Sequence, residues 1–209
     1  MAKVILFQGD SVTDCGRARE DVFNGGLGSG YPTLIAARLL ADRLGEEYRI
    51  YNRGISGNRV VDLYARWKCD AVMLKPDIIS ILIGVNDTWH ETKHQNGVEV
   101  DRYAMFYRML IDWSLEKLPG VKLVLCEPFV LHFGVVEDAW IDEMLQRGEV
   151  VRNLAKEYKQ TFVPFQSVLD KAAIRGGDPA LLLKDGVHPT LTGHQVLADA
   201  WLKAVGKLL

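Results

Sequence analysis

Apolar residues along this chain follow two patterns that alternate from end to end. Five short runs are almost continuously apolar: residues 3–8, 48–52, 78–83, 122–127 and 161–164. Such runs fit strands buried on both faces, as in a parallel sheet. Between them, apolar residues recur at helical spacing in segments 31–44, 59–68, 101–118, 139–158, 166–175 and 191–208. Pro32 stands near the start of the first segment, where a missing N–H does no harm. Val60, Leu63, Tyr64 and Trp67 share one face of the second. Gly176-Gly177 marks the end of the fifth.

Strand and helix in alternation predict a three-layer α/β/α architecture, one parallel sheet with helices on both faces. Five strands predict the doubly wound, flavodoxin-like order 2-1-3-4-5. Strand 1 then lies between strands 2 and 3. The loops leaving all three share the carboxyl edge of the sheet, where ligands bind in such folds. No repeat or low-complexity linker interrupts the pattern, so residues 1–209 are read as a single domain.

Composition narrows the class. A net charge of -2, with 48% hydrophobic and 25% charged residues, leaves no basic surplus for nucleic acid or an anionic membrane. No apolar run reaches the roughly 20 residues of a spanning helix. The N-terminal MAKVILFQGD breaks off at Gly9-Asp10, too soon for the apolar core of a secretory signal. Cys15, Cys69 and Cys126 form no CxxC pair and outline neither a disulfide framework nor a zinc site. The expectation is a cytoplasmic protein with reduced thiols. Tryptophans in amphipathic segments leave room for a homo-oligomer.

Four short blocks carry candidate chemistry. The first three strands run into Gly9-Asp10-Ser11-Val12-Thr13-Asp14, Gly54-Ile55-Ser56-Gly57-Asn58 and Gly84-Val85-Asn86-Asp87. Asp185-Gly186-Val187-His188-Pro189 stands near the C-terminus. Acyl transfer needs a hydroxyl whose proton a base removes, and histidine titrates near neutrality. A carboxylate must fix the imidazole tautomer, and donors must wait where the carbonyl oxygen becomes negative. Ser11, His188 and Asp185 fit nucleophile, base and carboxylate. The N–H groups of Ser11 and Gly57 and the amide of Asn86 fit the donors. Glycine suits the middle position because its backbone can approach a ligand closely. This chemistry requires no metal and no cofactor. Its partner is a small-molecule ester.

In these blocks the chain resembles the SGNH or GDSL-type hydrolases. Ser11 matches the family nucleophile, with Val12 where the eponymous motif has leucine. Gly57 and Asn86 match the family glycine and asparagine, and Asp185 with His188 the DxxH block. The blocks run from residue 9 to residue 188, nearly the whole chain. The longer strings GDSVTDCGRAR, GISGNRVVDLYARW, IGVNDTW and DGVHPTLTGHQVLADAWL are similar to intracellular carbohydrate acetylesterases, acetylxylan esterases among them. The resemblance implies removal of O-acetyl groups from acetylated sugars or xylo-oligosaccharides. The same machinery acting on acyl lipids or thioesters is the alternative.

Other residues are weighed against plainer roles. Ser56 lacks the G-x-S-x-G spacing of a nucleophile elbow and is read as a turn residue. Asp10, Trp89 and Arg17 flank the blocks and are carried as substrate contacts. For Asp10 the alternative is an acceptor that shapes the turn; for Trp89, a packing role. His194 and His132 are read as packing or surface residues. The run from Gly25 to Gly30 matches no phosphate-binding motif and is read as a mobile loop beside the site. His90-Glu91-Thr92-Lys93-His94 spells H-E-x-x-H, a zinc metallopeptidase signature that requires a helix. The segment has few apolar residues, so it is read as a solvated loop, with zinc chemistry a remote alternative.

Overall fold

A computed structural model describes residues 2–20 and 22–209. Five parallel strands, β1 (Lys3–Gly9), β2 (Tyr48–Asn52), β3 (Ile78–Leu82), β4 (Lys122–Cys126) and β5 (Thr161–Val163), form one sheet in the order β2-β1-β3-β4-β5. The expected order and architecture are therefore present. Among the described residues there are eight α-helices, six between the strands and two after β5. They are α1 (Ser11–Asp14), α2 (Tyr31–Asp42), α3 (Val60–Asp70), α4 (Val85–His94), α5 (Val100–Lys117), α6 (Asp138–Glu157), α7 (Phe165–Gly176) and α8 (Leu191–Val205).

Alternation along each strand splits the core into two layers. Ile5, Phe7, Leu82, Val124 and Cys126 face α2, α7 and α8. Leu6, Ile79, Ile81, Leu123 and Leu125 face α3, α5 and α6. Trp67 and Trp201 are fully buried, one in each layer. Trp201 Nε1 donates to Ser80 Oγ at 2.9 Å, and Trp67 Nε1 to Ser114 Oγ at 3.0 Å. Both of these indoles thus keep a hydrogen-bond partner for the polar N–H. No helix among the described residues is long and apolar enough to cross a membrane.

Two elements depart from the sequence expectation. Ser11–Asp14 makes a single helical turn, ended by Cys15 in a left-handed conformation. More importantly, the H-E-x-x-H segment is helical. It forms the second half of α4, where a solvated loop was expected. The stabilisation comes from packing, which the short apolar count of the segment conceals. Trp89 stacks at 5.3 Å from the buried Trp140 of α6. Thr88 Oγ1 bonds Glu143, and the fully buried Arg147 donates through Nε to Thr88 Oγ1 at 3.0 Å. Lys93 and His94 occupy the last turn, where cations favour the helix dipole.

Candidate active site

β1, β2 and β3 deliver their exit loops to one edge of the sheet, and three of the four blocks meet there. Asp10 caps α1 by accepting the Val12 N–H at 3.0 Å, which sets Ser11 at the first helical position. The Ser11 N–H is thereby one of the first-turn donors that a helix leaves unpaired. Gly57 adopts φ +83, a left-handed backbone that suits glycine. Its N–H has no hydrogen-bond partner among the described residues. Asn86, at the start of α4, donates one amide hydrogen to Asn58 O at 3.1 Å and keeps the other.

The fourth block reaches this edge from the C-terminal end of the chain. Leu183 and Pro189 form an antiparallel bridge, and Lys184 N donates to His188 O at 2.8 Å, closing a tight loop. The loop is strapped by the segment leaving β4: Leu131 N donates to Gly186 O and Val135 N to Asp185 O, both at 2.9 Å. Gly186 has φ +92, and an added Cβ would lie 2.3 Å from Phe133 O and 2.7 Å from Leu131 O. Only glycine fits against that strap.

The result is a continuous hydrogen-bonded relay. Ser11 Oγ lies 3.0 Å from His188 Nε2, and His188 Nδ1 lies 2.7 Å from Asp185 Oδ2. The other Asp185 oxygen accepts the N–H groups of Val187 at 3.0 Å and His188 at 2.8 Å. Partial burial pushes the Asp185 carboxyl up. The His188 backbone and ring, with the Val187 N–H, outweigh that effect and hold it below the ordinary range. Asp185 therefore stays ionised at neutral pH. With the carboxylate accepting from Nδ1–H, the lone pair of Nε2 faces the serine.

Two cavities flank the Ser11–His188 pair. One, about 370 Å³, is lined by Ser56, Gly57, Asn86, Trp89, His90, Lys93 and His94. The other, about 240 Å³, is bounded by Val12, Cys15, Lys184, Pro189 and His194. A larger cavity of about 630 Å³ lies behind Cys15, between α2 and the glycine-rich segment, and includes neither Ser11 nor His188. That segment is pinned to the end of α1: Ser29 N donates to Cys15 O and Ala18 N to Gly26 O.

Of the three expected substrate contacts, Trp89 alone lines the 370 Å³ cleft. Its ring lies 5.8 Å from that of His188, with Lys93 Nζ 5.0 Å over the indole. Asp10 is buried beneath Ser11, and burial pushes its carboxyl up to about 7. Arg17 is also buried, donating through Nε to Gly54 O at 2.7 Å. His194 is buried and neutral, its pKa lowered to about 4 chiefly by desolvation. Its Nδ1 accepts the Tyr31 N–H at 3.1 Å. His132 is half-exposed and pairs with Asp138 at 2.8 Å.

The helical H-E-x-x-H segment brings His90 and His94 to within 5.9 Å, centroid to centroid. Glu91 accepts the Gly97 N–H, closing the end of α4. Among the described residues no third His, Cys, Asp or Glu joins the two imidazoles as a ligand group.

Three side chains around the site were given no role from the sequence. Asp14 Oδ2 accepts both the N–H and the hydroxyl of Ser56 at 2.9 Å, so the rival serine is a donor in a turn. Asn52 Nδ2 donates to Thr13 O at 2.6 Å and Leu27 O at 2.8 Å, tying the end of β2 to α1. Asp87 Oδ1 accepts the Val60 N–H at 3.0 Å. Asp14 and Asn52 act between the exits of the adjacent β1 and β2, and Asp87 reaches from the exit of β3 past β1 to that of β2; only the strand order brings these partners near.

Comparison with known proteins finds a family model and relatives that span nearly the whole chain. Residues 7–196 match the family model described as GDSL-like lipase/acylhydrolase. An acetylxylan esterase of Geobacillus stearothermophilus is 40% identical over 210 residues, covering 97% of this chain and 93% of that protein. The crystal structure of Axe2, an acetylxylan esterase from the same organism, superposes with TM-score 0.89 at 37% identity, covering 98% of this chain and 94% of that one. Catalytic mutants of Axe2 carry alanine in place of a serine, an aspartate and a histidine, the last two three positions apart like Asp185 and His188. A GDSL-like protein of Parabacteroides merdae gives TM-score 0.93 at 44% identity over 98% of this chain and 95% of its own. A match that spans the four blocks and nearly the whole sheet places this chain in the GDSL-like lipase/acylhydrolase family.

Proposed function

We propose that this protein is a serine esterase that removes O-acetyl groups from acetylated carbohydrates of the xylan or xylo-oligosaccharide type. The observation that carries the reading is the 3.0 and 2.7 Å relay from Ser11 through His188 to Asp185, with Gly57 and Asn86 on the adjoining loops. The substrate class rests on the 40% identity to an acetylxylan esterase.

Ser11 Oγ attacks the acetyl carbonyl carbon as His188 Nε2 takes its proton. The carbonyl oxygen becomes negative between the N–H of Ser11, the N–H of Gly57 and the free amide hydrogen of Asn86. Collapse breaks the ester bond, and His188 returns the proton to the departing sugar oxygen. Water, deprotonated by His188, then attacks acetyl-Ser11; the acyl–oxygen bond breaks, acetate leaves, and His188 returns the proton to Ser11 Oγ. Asp185 holds Nδ1 protonated throughout and stabilises the imidazolium. Trp89 forms a wall of the cleft against which a sugar ring can pack.

The test is a panel of acetylated xylo-oligosaccharides, p-nitrophenyl acetate, p-nitrophenyl octanoate and an acyl thioester, with wild type and Ser11→Ala. Acetyl esters should turn over, and Ser11→Ala should lose that activity by about 10⁴-fold or more. A strong preference for octanoate or thioester would move the substrate to acyl lipids or thioesters. Equal rates for the two proteins would end the serine mechanism.

A further inference from the structure

Gly57 can serve as an oxyanion donor only if its loop is held still, because hydrogen bonds to a developing charge act through preorganisation. Residues 56–59 lie between β2 and α3 and belong to no strand or helix. One backbone bond, from Asn58 N to Ile55 O at 3.1 Å, closes their turn, and side chains of the two neighbouring blocks anchor it on either side of Gly57. Immediately before Gly57, the Ser56 N–H and hydroxyl both donate to Asp14 Oδ2 at 2.9 Å. Asp14 is 1% exposed and lies three residues after Ser11. Three residues after Gly57, the Val60 N–H donates to Asp87 Oδ1 at 3.0 Å and Oδ2 at 3.3 Å. Asp87 is fully buried and follows Asn86 directly. Between the two, Asn58 O accepts from the Asn86 amide at 3.1 Å.

We infer that Asp14 and Asp87 are positioning residues that fix the oxyanion hole by clamping the Gly57 loop from both sides. The inference rests on the serine-esterase reading above. Each carboxylate belongs to the block that supplies another donor: Asp14 shares a helical turn with Ser11, and Asp87 adjoins Asn86. The clamps therefore set the three donors relative to one another, not merely the loop relative to the core. The charge of Asp14 is matched by Arg19, whose guanidinium lies 2.8 Å from Oδ2. A nearby bare anion would oppose the charge that forms on the substrate, and this pairing reduces that opposition.

The experiment compares Asp14→Ala, Asp87→Ala, Asp14→Asn and Asp87→Asn by steady-state hydrolysis of p-nitrophenyl acetate, with thermal melts as a check on folding. Each alanine variant should lose about 100-fold in kcat, as displacement of a catalytic group by about 1 Å does. KM should stay within about threefold, because a donor used only in the transition state affects kcat. The pKa on the acid limb of kcat/KM should not move, since the relay of Ser11, His188 and Asp185 is untouched. Asparagine keeps one oxygen acceptor, so Asp87→Asn and Asp14→Asn should recover most of the lost kcat. In an Asn86→Ala background, Asp87→Ala should cost far less than it does alone, because both act on one hole.

Alanine variants that fold and keep kcat within threefold of wild type would overturn the inference. So would asparagine variants, folded like wild type, that lose as much as the alanines, or losses that simply add to that of Asn86→Ala. Where an alanine variant does not fold, Asp14→Ser or Asp87→Ser, small and polar, takes its place in the same measurements and in the cycle with Asn86→Ala, with the same losses expected and the same results overturning the inference. If wild type hydrolyses no ester, or Ser11→Ala is as active as wild type, the esterase reading fails, a result distinct from any of these.

Discussion

Adding one methyl group at Gly186 should disable the site without touching a catalytic side chain. An alanine Cβ there would lie 2.3 Å from Phe133 O and 2.7 Å from Leu131 O. Ordinary carbon-to-oxygen contacts start near about 3.3 Å, so loop and strap must part by about 1 Å. The strap cannot yield freely, because Leu131 N and Val135 N are bonded to this same loop. His188 stands two residues on, and its 3.0 Å contact to Ser11 Oγ would stretch out of hydrogen-bond range. A shift of that size costs about 100-fold in rate. The positive φ adds about 1–2 kcal/mol of strain. Gly177 supplies the control: its φ is +74, but nothing lies within 4 Å of an added Cβ. Gly177→Ala should therefore lower Tm by about 2–8 °C from strain alone and leave kcat unchanged. Gly186→Ala should lower both Tm and kcat. The assays are thermal melting and p-nitrophenyl acetate hydrolysis. Gly186→Ala with kcat within twofold of wild type would refute the claim that the strap positions His188.

Four further outcomes follow from the same geometry. Asp185→Asn should reduce kcat by about 10⁴-fold by releasing the imidazole tautomer, and a loss under tenfold in steady-state kinetics would contradict that role. Because the folded state holds Asp185 below its ordinary value, its stabilising contribution is present above about pH 4 and fades below it, so the Tm gap between this variant and wild type should shrink on acidification. Burial pushes Asp10 and Asp87 up to about 7, so the folded state binds more protons than the unfolded one between about pH 4 and 7; stability should fall across that window as pH rises, by up to about 1.4 kcal/mol per unit for each group, and denaturant melts of Asp10→Asn should show a shallower slope. Trp89→Ala should raise KM for an acetylated xylo-oligosaccharide by about 2- to 12-fold, and by less for p-nitrophenyl acetate, and an equal rise for both would remove the sugar-packing role. EDTA should leave esterase activity unchanged, whereas a loss restored by zinc and abolished in His90→Ala would redirect attention to α4.

The sheet was legible because its strands are short, apolar and separated by clear helical repeats. Ser11, Gly57 and Asn86 were legible because each follows a strand, and the order 2-1-3-4-5 sets the strand of Ser11 between the other two. The arrival of His188 was not readable from strand order, since it depends on a strap between residues 131–135 and 185–186 that no local pattern encodes. The helicity of residues 90–94 was hidden for a related reason. Their own side chains are polar, and the burial that supports them comes through Thr88 and Trp89 against α6. Arg17 was carried as a substrate contact, but its target is a backbone carbonyl on the loop after β2. Such long-range polar pairings leave no periodic trace.

The two groups of the relay that must touch, Ser11 and His188, are 177 positions apart, at opposite ends of the fold's construction. The serine has no base until residues 185–188 are made and their loop is strapped to residues 131–135. Hydrolysis should therefore be lost in any molecule whose strap has parted, whatever remains of its sheet.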